Sequence, residues 1–81
     1  MEDSQIKEIL KRIFLETFQD LDKDNFNFNK KQEEFNNWDS FSTMGLISKV
    51  ENSFNIRFEL DEIVGLDSPQ HFFEIIKQKL K

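Results

Sequence analysis

Apolar residues recur in steps of three and four along three separate stretches, and that spacing constrains the fold more than any other feature of the chain. Ile6, Ile9, Leu10, Ile13, Phe14 and Phe18 form one stripe, with Ser4 placed to cap the helix and no proline or glycine to interrupt it. Met44, Ile47, Val50 and Phe54 form a second stripe with Leu46 alongside, on a helix opened by Asp39-Ser40 and closed near Asn55. Phe72, Phe73, Ile75, Ile76 and Leu80 form the last. Ser68 caps that helix, Pro69 takes its first position, and Lys77, Lys79 and Lys81 sit at the end favoured by positive charge. Between the first two stripes, the Asn/Asp-rich run from Asp20 to Asn29 favours turns, with Phe26 and Phe28 as anchors against the bundle. Ile56 to Leu60 reads as an extended link. A short turn from Asp61 to Gly65 follows, with Ile63 facing inward. The expected fold is all-α: a four-helix bundle of three main helices and one short one, with a long first loop, forming a single domain over residues 1–81.

A chain of 81 residues has room for one modest core but not for a deep catalytic cleft. The absence of cysteine excludes disulfides, thiolate metal sites and a cysteine nucleophile, and His71 has no second histidine with which to bind zinc. No catalytic set is expected, because no carboxylate pair is marked as acid and base and no histidine–carboxylate–serine set can be assembled. No apolar run approaches the roughly 20 residues that cross a bilayer. The acidic start, Met1-Glu2-Asp3-Ser4, is unlike a secretory leader, so cytoplasmic residence is the expectation. The net charge of −5 is densest in residues 38–68, which hold six acids and two bases. Such a surface disfavours nucleic acid and anionic membrane and suits basic patches on protein partners, with the chain itself expected as a monomer.

The informative stretch is Trp38-Asp39-Ser40-Phe41-Ser42-Thr43-Met44-Gly45-Leu46-Ile47. It presents a serine where a long loop becomes a helix, and the free N–H groups and positive end of a helix stabilise a phosphate diester at that point. Asp39 could bind a cation or receive a basic residue from a modifying enzyme. Trp38 and Phe41 are expected to pack into the core and fix the junction. Taken alone, Asp-Ser at a helix start is most often just a cap.

Here the chain resembles the acyl and peptidyl carrier proteins. Their signature is Asp-Ser and a large apolar residue opening the second helix, which Asp39-Ser40-Phe41 fits with phenylalanine where leucine is commonest. Phe54-Asn55-Ile56-Arg57-Phe58 resembles the family's segment after that helix. Leu66-Asp67-Ser68, followed by Phe72 and Ile76, resembles the approach to its last helix. The resemblance runs from Trp38 to about Ile76. It implies a 4'-phosphopantetheine arm moved from coenzyme A to Ser40 by a phosphopantetheinyl transferase, with Asp39 in the recognition motif. The chain would then be no enzyme but a carrier of acyl or aminoacyl thioesters, serving acyl-loading and acyl-processing enzymes of a fatty-acid-like or specialised pathway. Phe41, Met44, Gly45, Ile47, Ser48 and Glu51 would form the docking face for these partners.

The second helix departs from the strongly acidic form of fatty-acid carriers, with Gly45, Ser48 and Asn52 at exposed positions, Lys49 added and only Glu51 acidic. These changes point toward a dedicated carrier. Glycine at position 45 costs the helix up to about 1 kcal/mol against alanine; a partner or an attached arm needing the space would account for it, and so would drift. Two other readings stay open. A carrier-like fold could act purely as an unmodified adaptor through Ser42 to Asn52. Asp20, Asp22 and Asp24 match positions 1, 3 and 5 of a calcium-binding EF-hand loop, but Asn25 and Lys31 stand where that loop needs glycine and glutamate.

Overall fold

The computed structural model describes residues 1–80, so Lys81, expected near the last helix end, lies outside it. Among the described residues all regular structure is helical: α1 (Asp3–Thr17), α2 (Ser40–Phe54), the short α3 (Leu60–Val64) and α4 (Pro69–Lys79), with no strand. A single 3-10 turn, Gln32–Glu34, lies in the long first loop.

The helix limits follow from local chemistry. α1 starts one residue before the expected cap: Ser4 is already helical, Glu2 is the flanking residue, and its N–H donates to Gln5 Oε1 at 2.9 Å. α2 stops at Asn55, which takes the left-handed conformation (φ 57°, ψ 49°) that asparagine tolerates better than most residues. Ser68 Oγ accepts from His71 N at 3.2 Å, so the last helix has its predicted cap and its Pro69 start. Lys77 and Lys79 reach across the bundle, with Nζ of each 2.9 Å from Asp3 on α1 and Glu62 on α3 respectively.

α1 packs against both α2 and α4. Phe14 lies at the centre, fully buried, with its ring centroid 5.6–6.0 Å from those of Phe18, Phe26, Phe35, Trp38 and Phe72. The first loop belongs to this core. Phe18, Leu21, Phe35 and Trp38 are buried, and Phe26 and Phe28 pack against the cluster as anchors. Backbone bonds tie the loop to the start of α4, from Gln32 N to Asp67 O (2.7 Å) and from Gln70 N to Phe28 O (2.9 Å). The radius of gyration, 11.7 Å, equals the value of about 11.7 Å expected for a compact chain of this length, so the loop lies on the bundle instead of projecting from it.

On α2 the structure corrects the sequence reading. Leu46 is fully buried, whereas Met44 is 59% exposed and Phe41, expected in the core, is 87% exposed. At about 100° per residue, Leu46, Val50, Phe54 and Ile47 fall within an arc of about 100°. Repeated steps of three rotate off that arc, and Met44 and Phe41 end up on the opposite side.

Candidate functional site

Ser40 stands at the first position of α2 and is exposed. Its surroundings are built from the loop inward. Trp38 is buried among Phe14, Phe18, Phe35 and Phe72, and its indole Nε1 donates to Thr43 Oγ1 at 2.7 Å. Thr43 Oγ1 in turn donates to Asp39 O at 2.8 Å, while Gln32 Nε2 donates to Trp38 O at 3.1 Å. Trp38 thus fixes the point where the chain enters α2. Phe41, expected to share that task, points to solvent.

Capping is performed by Asp39 and Ser42. Asp39 Oδ1 accepts from Ser42 N at 2.9 Å, and Asp39 N donates to Ser42 Oγ at 2.9 Å, closing a reciprocal box. Ser42 Oγ in turn donates to Asn37 O at 2.8 Å. The three-residue spacing of Asp39 and Ser42 is the sequence signal for this box. With the box closed by its neighbours, Ser40 is not required as the cap. The backbone N–H groups of Ser40 and Phe41, in the first turn, have no acceptor within the helix.

The N–H of Ser42, and then its hydroxyl, hold the Asp39 carboxyl below the ordinary aspartate range. A carboxylate whose pKa is lowered on folding adds stability that is complete above its unfolded value, about 3.9, and is lost as pH falls through its folded value. Thermal melts of the native chain and of Asp39→Asn are therefore expected to diverge least in strong acid and most above about pH 4. A constant difference across that range would show that the carboxylate charge contributes nothing to the cap.

The structure divides the expected docking residues. Phe41, Met44 and Ser48 lie on the exposed face of α2, and Gly45 is half-exposed beside them. Ile47 does not belong to that face: it is 4% exposed and sits in the core, because it falls on the Leu46–Phe54 arc. Glu51 is half-buried and its Oε2 accepts from Phe58 N at 2.9 Å, so this carboxylate holds the α2–α3 link. Sequence reasoning missed Leu60 and Val64, apolar residues of α3 that are both exposed.

The exposed face of α2 forms one wall of an open groove of about 860 Å³. Thr17, Gln19, Asp20, Asn36 and Asn37 line the other side. Lys49 Nζ donates to Thr17 Oγ1 at 3.3 Å across it. A second open cleft, about 630 Å³, lies on the loop side of Asp39 between Lys31, Gln32, Trp38 and Asp67. No family model and no curated protein matches this chain. The function must therefore be argued from the site itself.

Gly45 has neither a positive φ nor a neighbour to demand it, since a Cβ built there meets no atom within 4 Å. Gly45→Ala is expected to stabilise the fold by up to about 1 kcal/mol, raising the melting temperature by about 4–8 °C in a domain of this size. A melting temperature that falls would mean that the position is more crowded than the geometry indicates.

At the EF-hand-like stretch, the carboxylates serve the loop. Asp22 Oδ1 accepts from Asp24 N (2.9 Å) and Asn25 N (3.0 Å), and Asp20 Oδ2 accepts from Asn36 Nδ2. Among the described residues, no three acidic, histidine or cysteine side chains converge as a metal site, and no helix is long and apolar enough to cross a membrane.

Proposed function

We propose that the chain is an acyl-carrier-type protein that bears a 4'-phosphopantetheine arm on Ser40. One observation carries the reading: Ser40 is exposed at the mouth of a 15-residue helix whose capping has been taken over by Asp39 and Ser42. A serine in that position has its hydroxyl free for a transferase, while the positive end of α2 favours a phosphodiester there. The bundle's four helices and long first loop agree with the resemblance in the Asp39-Ser40-Phe41 motif. When attached, the arm supplies a terminal thiol that holds acyl or aminoacyl cargo as a thioester.

The chain's own residues contribute position, not catalysis. Trp38 anchors the loop–helix junction so that Ser40 is presented at a fixed angle. Asp39 keeps the first turn of α2 formed, and its carboxylate offers a negative charge to a transferase. Phe41 and Met44, exposed on the next turns, offer apolar surface to the transferase and to the enzymes that load and process cargo. Gly45, Ser48 and Asn52, with Lys49, stand on α2 where fatty-acid carriers are strongly acidic, which favours a dedicated set of partners.

Intact-protein mass spectrometry tests the reading. Incubation with coenzyme A and a broad-specificity phosphopantetheinyl transferase is expected to add the mass of one phosphopantetheine. An unchanged mass would instead favour an unmodified adaptor, for which the exposed Phe41, Met44, Leu60 and Val64 would be the contact surface.

A further inference from the structure

We infer that the groove between α2 and the α1 end of the first loop is the resting site of the arm on Ser40, a binding site for an amide-containing, partly apolar chain. The inference rests on the carrier reading and deepens it. Both chain neighbours of Ser40, Asp39 and Phe41, line this groove while Ser40 itself lies just outside the lining, so an arm on the Ser40 hydroxyl enters it by crossing the first turn of α2. From Phe41 the wall continues along α2 through Met44 and Gly45 to Lys49, a run of about 12 Å at 1.5 Å per residue. The volume, about 860 Å³, falls in the range of about 300–1,000 Å³ typical of small-molecule sites.

The chemistry of the walls suits such a chain. Phe41 and Met44 give apolar surface, while the carboxamides of Gln19, Asn36 and Asn37 on the facing side can pair with amide groups. Gly45 is the second, independent sign. Its backbone is ordinary helix and no protein atom lies within 4 Å of a Cβ placed there, yet the position carries the residue that weakens a helix interior. What glycine preserves at that point is open space in the groove. The other large cleft, on the loop side of Asp39, offers no comparable run of exposed helix face. The core, filled by Phe14, Phe72 and their neighbours, leaves the open surface as the place for the arm.

The test compares amide NMR spectra of the unmodified chain and the phosphopantetheine-loaded chain, with loading checked by intact mass. Loading is expected to shift Thr17, Gln19, Asn36, Gly45 and Lys49 as well as the immediate neighbours of Ser40. Nuclear Overhauser contacts are expected between the arm and the Phe41 ring. In Gly45→Phe, whose new side chain fills the groove, the shifts at Thr17 and Asn36 on loading are expected to vanish while circular dichroism remains helical. Shifts confined to residues 38–42, or appearing over α3 at Leu60–Val64, overturn this site and leave the carrier reading standing. A mass that does not change overturns both. The native-chain comparison decides the matter even if Gly45→Phe fails to fold.

Discussion

Phe14→Ala is expected to destabilise the fold by about 3–5 kcal/mol, the usual cost of truncating a buried phenylalanine in a packed core. Its ring is fully buried and meets aromatic neighbours from the first loop and α4, so the vacated space is walled by rigid rings that cannot collapse into it. Domains of this size begin near the lower end of about 5–15 kcal/mol of total stability. The variant should therefore be partly unfolded at 37 °C. Urea unfolding followed by circular dichroism measures the loss. Phe28→Ala is the control: that ring is only partly buried on the outside of the cluster and should cost clearly less. Equal losses in the two variants would mean that Phe14 is not the centre of the core.

The second large effect separates modification from stability. Under the carrier reading, Ser40→Ala is expected to abolish phosphopantetheine addition completely, since no other hydroxyl occupies that position. The same substitution should move stability by no more than about 0.5 kcal/mol, as for other exposed sites, because the cap is made by Asp39 and Ser42. Asp39→Ala should do the reverse, lowering the urea midpoint clearly through the lost cap. Intact mass after transferase treatment and urea melts read the two effects on the same samples. If Ser40→Ala proved as destabilising as Asp39→Ala, the hydroxyl would be a structural group and the argument for its availability would fail.

Much of the architecture was legible because it depends on local chemistry. Ser68-Pro69 and Asn55 each impose or tolerate a particular backbone conformation at a helix end, and those ends fall where the residues place them. Errors arose where the choice was between faces. Phe41 and Met44 are as apolar as Leu46 and Ile47, and spacing in threes is compatible with either side of α2 over a short run. The helix twist, accumulated over four turns, places Leu46 and Ile47 inward and leaves Phe41 and Met44 outside. Glu51 shows the same limit for a polar residue. Nothing in its neighbours marks it as the acceptor for Phe58 N, because that bond exists only once the chain has turned at Asn55.

The amino-acid sequence alone determined that this chain is helical, where α2 begins and ends, where α4 begins, and that a serine follows an aspartate at the mouth of the second helix. Those features rest on periodicity and on residues within three or four positions of one another. Only the tertiary structure decided that Phe35 shares the core with Trp38, since both gain their burial from α1 and α4, far away in sequence. It also decided that Ser42 and Asp39 share the cap and that an open groove begins beside Ser40, because a groove has two walls and here they come from segments about twenty residues apart.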